Sequence, residues 1–294
     1  MTMRSLISLI AIAALLLMSA AQATEHPSQV SPPASPQQLS SSSLKIVSIN
    51  LCLDGLLLAL VEHSRIDSVY YLSANPQFSP FAEQTKGLFL NRGLAEDIVP
   101  RNPDLILAGE FSSAELVTLL KQLKFRVEVL ALPRSISDIT AHIRYFGKLV
   151  GNGNGAEAMA RSIEQQLMLL NAEQRKQKGK INAFWYSSNG VVVGAETLEN
   201  ELMQHAGIHN LALDKNITGF KQIDLEELIL ARPQVIIVES SDIEAFSLAR
   251  EYIKHPALQK NNTRIIALPS SLSVCSAPVL ADVIKELRTQ VKEF

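Results

Sequence analysis

Gly93-Leu-Ala-Glu-Asp-Ile-Val-Pro-Arg-Asn-Pro-Asp-Leu-Ile-Leu-Ala108 has a second copy in the chain, Asp224-Leu-Glu-Glu-Leu-Ile-Leu-Ala-Arg-Pro-Gln-Val-Ile-Ile-Val-Glu-Ser240. With a shift of 130, Glu96 falls on Glu226 and Pro103 on Pro233. Each copy reads as a short acidic helix, a proline and an apolar strand. The proline ends the helix, because it disfavours the helical conformation of the residue before it. Leu105-Ile106-Leu107 and Val235-Ile236-Ile237-Val238 fit strands buried on both faces, as in a parallel sheet. Helix–strand units also resemble one another by chance, but the shared Glu and Pro positions favour two similar lobes. A solenoid would need short, numerous repeats.

The bulk composition sets the frame. The chain has 294 residues, 47% hydrophobic and 19% charged, enough for two globular domains. A net charge of −2 gives no basic footprint for nucleic acid. Arg4, the apolar run Leu6–Met18 and the small-x-small site Ala21-Gln22-Ala23 read as a secretory signal peptide over residues 1–23. Its apolar core is too short for a lasting membrane anchor. The mature chain is expected in the periplasm, soluble and monomeric. The two cysteines, Cys52 and Cys275, are a candidate disulfide in an exported protein, with two unpaired thiols as the alternative.

In chain order, residues 24–43 form a flexible Pro/Ser-rich leader. An N-terminal lobe follows over 44–153. It has strands at Ile46–Ile49 and Ser68–Leu72, the first repeat copy, a helix at Ala114–Leu123, a strand at Arg126–Leu130 and a helix at Ile136–Val150. The turn Gly151-Asn-Gly-Asn-Gly155 follows a helix and lacks the Lys-Ser/Thr of a phosphate loop, so it reads as a helix stop. One long helix over 154–178 is long enough to cross between lobes. A C-terminal lobe covers 179–294, with a strand at Lys180–Tyr186, a loop at Asn210–Phe220, the second repeat copy, a helix at Asp242–Tyr252 and a closing helix at Val279–Phe294. The fold class is α/β.

Catalytic signatures are scarce. His205 and His209 have helical i,i+4 spacing, but Gly207 intervenes and no His-Glu-x-x-His motif surrounds them. They read as surface histidines at a helix end. No Gly-x-Ser-x-Gly elbow occurs. The chain is therefore not expected to be an enzyme.

The signal peptide, Lys45-Ile-Val-Ser-Ile-Asn50, the two repeat copies and the single long helix resemble the helical-backbone class of periplasmic substrate-binding proteins. These deliver cobalamin, ferric siderophores or haem to ABC importers. The resemblance covers 44–294. It implies two lobes with parallel central sheets, joined by one rigid helix, with the ligand in the cleft between them. It also implies that Glu96 and Glu226 dock on arginines of the ABC permease subunits. Two separated carboxylates, each taking a bidentate arginine, would fix orientation more than they add affinity. Cobalamin-binding members line the cleft with aromatics; Leu90 and Gly109 stand at two such places, and Phe220 keeps an aromatic at a third. Loop positions make Asn50, Tyr71, Arg92, Glu110, Tyr186, Asn189 and Phe220 the ligand-binding candidates. The expected cargo is a small-molecule metal chelate, a ferric siderophore or cobalamin-type corrinoid. No cofactor and no metal-ligating set of the protein's own is expected. The alternatives are a zinc or manganese ion carrier and an exported tetrapyrrole-handling enzyme.

Overall fold

The structure, a computed structural model, describes residues 44–174, 180–187, 190–240, 248–273, 275 and 277–292. The expected signal peptide and leader, the end of the expected long helix at 175–178, Asn189 and residues 242–247 lie outside the described residues.

The first lobe is a five-stranded parallel sheet of β1 (Ile46–Ser48), β2 (Ile66–Tyr70), β3 (Phe89–Asn91), β4 (Leu105–Gly109) and β5 (Val127–Leu130), in the order β3-β2-β1-β4-β5. Helices α1 (Leu51–Leu60), α2 (Ala95–Ile98) and α3 (Ala114–Gln122) lie between its strands. Strand β4 is buried throughout: Leu105 and Leu107 enter the core on one face, Ile106 and Ala108 the core on the other. That two-sided burial is why its sequence is a continuous apolar run rather than an alternation.

Helix α4 (Ile136–Leu149) packs along α5 (Gly153–Gln174), the connector between lobes. At 22 residues, α5 is about 33 Å long. A Cβ on Gly147 would lie 2.1 Å from that of Ala156, so the glycine lets the two helices touch. Gly151 turns the chain between them at φ 78. Ala156, Ala160, Ile163, Leu167 and Leu170 of α5 join a core that contains residues of both lobes.

The second lobe holds β6 (Ile181–Trp185), β8 (Ile208–Asn210), β10 (Val235–Glu239) and β11 (Arg264–Leu268), parallel in the order β11-β10-β6-β8. A separate antiparallel pair joins β7 (Val191–Val193) to β9 (Phe220–Gln222). Its helices are α6 (Leu198–His205), α7 (Leu211–Asp214), α8 (Leu225–Leu230), α9 (Leu248–Ile253), α10 (Pro256–Lys260), α11 (Ser270–Ser273) and α12 (Leu280–Lys292). Arg288 of α12 is buried and donates to the carbonyl of His205 at the end of α6, an acceptor that a helix terminus leaves open, and to the carbonyl of Leu170 in α5. The stretch expected as one loop, Asn210–Phe220, is instead a strand end, α7 and the start of β9. Buried Asn210 organises it by accepting from Ala212 N while donating to the Val193 carbonyl, a side-chain effect with no periodic signature.

The repeat is structural. Ile98 and Leu228 occupy matching places and are both fully buried. Asn102 and Arg232, again 130 apart, both turn left-handed at φ 44 and φ 47, and each precedes a buried proline. One device thus ends the helix and aims the following strand in each lobe.

Candidate ligand cleft

In an open parallel sheet, ligands bind beyond the carboxyl ends of the strands where the strand order reverses. In the first lobe that point lies between β1 and β4. The loop after β1 starts with Asn50, whose side-chain oxygen accepts from Cys52 N and Leu53 N and so caps α1. Strand β4 ends on Gly109, and the loop after it carries Glu110 and Phe111. A Cβ at Gly109 would fall 2.4 Å from Asn50 Nδ2, so this glycine lets the two loops meet. Asn50, Gly109, Glu110, Phe111 and His142 line a small side cavity there. Burial holds the His142 imidazole below its ordinary pKa, so it is neutral near pH 7.

The side cavity adjoins a larger cleft between the lobes, with a volume of ≈ 440 Å³, within the range usual for small-molecule sites. Phe111 and the 132–134 loop after β5 form its first-lobe wall; Glu196, Glu199 and 218–220 form the facing wall. Phe111 is 79% exposed and Phe220 is 67% exposed. Large aromatics left so open inside a concavity are surface that a ligand can cover. Glu110 accepts from Leu132 N at 3.1 Å and approaches Arg134 at 3.5 Å, which braces the 132–134 loop. On the opposite wall, Gly194 N donates to the Gly219 carbonyl, and a Cβ on Gly194 would sit 2.0 Å from the Ile217 carbonyl oxygen. This close approach sets the position of Thr218, Gly219 and Phe220. Burial raises the pKa of the Glu199 carboxyl.

The structure places the expected ligand residues unevenly. Phe220 lines the main cleft, while Asn50 and Glu110 line the side cavity. Tyr186 is 1% exposed and lies in the second-lobe core, where a bridge to Val192 covers it. Tyr71 stacks edge-on against Tyr70, and exposed Arg92 donates its backbone N–H to Asp97; neither lines these two cavities. Asn189 is outside the described residues. The sequence reading did not single out Phe111, Arg134, His142, Glu196 or Glu199 as ligand-facing. The strand-end rule, applied to the loop after β5, would have found Arg134. Cys52 and Cys275 form a disulfide, and both line the main cleft. His205 and His209 do not converge: His205 faces Asn171, and His209, on β8, faces Asp214.

Glu96 and Glu226 are exposed on the two short repeat helices, and their carboxylates make no hydrogen bond or ion pair with other described residues. Their neighbours are engaged internally. Asp97 accepts from Arg92 N, and Glu227 approaches Lys215 at 3.6 Å.

Among curated proteins, a cobalamin-binding protein of Halobacterium salinarum is 23% identical over 170 residues, 57% of this chain and 46% of the relative. The chain thus spans less than half the length of that relative. Among solved structures, the apo periplasmic heme-binding protein RhuT of Roseiflexus sp. RS-1 superposes with a TM-score of 0.66 at 21% identity, covering 84% of this chain and 99% of that one. The periplasmic vitamin B12 binding protein BtuF of Vibrio cholerae gives 0.60 at 19% identity, over 84% and 96%. These likenesses show the two-lobe fold. The Periplasmic binding protein family matches residues 46–272, which is most of the chain and agrees with its two lobes, connecting helix and interlobe cleft; the chain belongs to that family.

Proposed function

We propose that this protein is the exported solute-binding component of an ABC importer, and that it captures a metal chelate in the interlobe cleft and hands it to the membrane permease. One observation carries the reading: Phe111 and Phe220, from opposite lobes, open into one cleft of ≈ 440 Å³. Such walls suit a broad ligand with apolar faces. Among the described residues of the cleft and side cavity, Glu110, Glu196 and Glu199 outnumber the guanidinium of Arg134. Carboxylates welcome hydrogen-bond donors and repel anions. A corrinoid with neutral amides at its rim, or a neutral ferric hydroxamate, therefore suits the cleft better than a ligand bearing free carboxylates. The names of the similar proteins, cobalamin-binding, heme-binding and vitamin B12 binding, lie in the same chemical class.

Docking falls to Glu96 and Glu226, which stand at equivalent places on the two lobes with their carboxylates unengaged. Bare-ion capture has little support, since no three His, Cys, Asp or Glu side chains converge among the described residues. The test is a titration of the purified protein with cyanocobalamin, cobinamide, ferric haem and a ferric hydroxamate. Trp185, at the end of β6, serves as the fluorescent reporter. Saturable quenching by cyanocobalamin, cobinamide or the hydroxamate, with haem weaker, is the expected result. Silence with all four overturns the reading.

A further inference from the structure

The Cys52–Cys275 disulfide joins residues 223 apart in sequence and connects the two lobes. Cys52 is in the first turn of α1, beneath the switch point of the first lobe. Cys275 lies after α11, in the segment that leaves β11 of the second lobe. The turn at 277–279 packs against α1 of the first lobe, and α12 then packs on β11, α5 and α6. In that turn, Pro278 lies against α1: its Cγ is 3.4 Å from where a Cβ on Gly55 would be, with the Phe81 ring on the same spot at 3.3 Å. Ser270–Ser273, Cys275 and Pro278 thus mark a strap from one lobe to the other, and the disulfide fastens it where it borders the cleft. Ser273, Cys275 and Cys52 are all lining residues.

The lobes therefore have two covalent connections, α5 and the strap. A body held at one connector can swing in several directions, whereas a second fixed point restricts it to rotation about the line between the two. A third, non-covalent tie opposes that rotation: Glu201 of α6 accepts from Ile136 N at the start of α4, at 2.6 Å. We propose that the Cys52–Cys275 disulfide is an interlobe latch, which holds the cleft at its ligand-ready spacing and leaves the Glu201 contact as the tie that opens. Pre-setting the spacing would lower the cost of ordering the walls when a ligand enters. An oxidising compartment keeps such a bond closed, and its place in an open cleft leaves it accessible to a small dithiol.

The latch is testable without any ligand. Hydrogen–deuterium exchange is compared for the oxidised protein, the same protein in dithiothreitol, and Cys52→Ser/Cys275→Ser. Loss of the bond is expected to speed exchange in 131–135, 217–222 and 270–273, while 105–109 and 235–239 in the two sheets stay protected. Removing the dithiothreitol and reoxidising restores the original pattern. Unchanged exchange in the cleft walls overturns the proposal. So does equal acceleration of walls and sheets, which marks a general loss of stability. The dithiothreitol arm keeps the test valid if the double variant fails to fold. A second arm titrates cyanocobalamin and rests on the proposed function. If opening reduces the ligand-ready population to about a tenth, the apparent Kd rises about tenfold. Cyanocobalamin silent in every form, with the exchange difference present, supports the latch and removes cyanocobalamin from the cargo candidates. An unchanged Kd alongside the exchange difference overturns the claim that the latch sets the ligand-ready spacing.

Discussion

Asp54 makes folding stability depend on pH in an unusual direction. This carboxyl lies on α1, fully buried, where Tyr70 N–H and the Ser73 hydroxyl both donate to Oδ2 while Oδ1 has no partner. Burial pushes its pKa from 3.8 up to about 8, outweighing the hydrogen bonds from Ser73 and Tyr70 that pull it down. The folded protein therefore keeps this proton up to about pH 8, whereas the unfolded chain releases it near 3.8. Unfolding releases a proton throughout that window, so stability falls as pH rises, by about 1.4 kcal/mol per pH unit. Between pH 5 and pH 7 this amounts to about 3 kcal/mol, a large part of the stability of an ordinary domain. Above about pH 8 the slope ends, because both states are ionised. Asp54→Asn keeps the shape, still accepts from Tyr70 and Ser73, and has no proton to release. His142 and His205 are held below their ordinary pKa by burial, so their contributions slope the opposite way. They are common to both proteins and cancel in the difference. Urea unfolding of the oxidised protein at pH 5, 6, 7 and 8 should show the stability advantage of Asp54→Asn growing at each step and levelling near pH 8. An advantage that does not change with pH would refute the reasoning.

Phe111→Ala and Phe220→Ala should each weaken cyanocobalamin binding about tenfold, the loss of one aromatic contact of about 1.4 kcal/mol. Being exposed, both variants should keep their urea midpoints; unchanged affinity sinks the aromatic-wall reading. Glu96→Ala combined with Glu226→Ala should abolish uptake by whole cells while the purified protein binds as before, and loss of binding would contradict the docking role. Gly194→Ala drives a methyl to 2.0 Å from the Ile217 carbonyl oxygen. It should cost about 1–3 kcal/mol as an overpacked site and shift the wall at 218–220, seen as a lower thermal midpoint and weaker binding together; a wild-type midpoint would contradict the close packing.

The duplicated element was legible because its signals are local. A proline and an apolar run specify helix end and two-face strand within sixteen residues or so, whichever lobe surrounds them. The acids at Glu96 and Glu226 could be placed for the same reason. The cleft was legible only in part. Asn50 and Glu110 border the side cavity because strand-end loops face the carboxyl edge of a sheet, while Phe220, expected from the resemblance, lines the main cleft from the start of β9. Tyr186 met the same rule but is buried, because β7 folds back over it through the Val192 bridge. A rule about loops cannot foresee a hairpin that covers one of them. Glu199 is indistinguishable in sequence from any solvated helix acid; only the opposing wall makes it a cleft residue.

By itself, the sequence determined the α/β class, the two lobes, the long connecting helix and the matched acidic helices, since each follows from periodicity and stop signals within a short window. The tertiary structure decided which distant residues share the cleft. Phe111 and Phe220 line it from opposite lobes, Glu201 reaches the start of α4, and Cys52 finds Cys275 across 223 residues. These pairings depend on how one lobe is set against the other, which the packing of α5 and the strap fixes and no local pattern encodes.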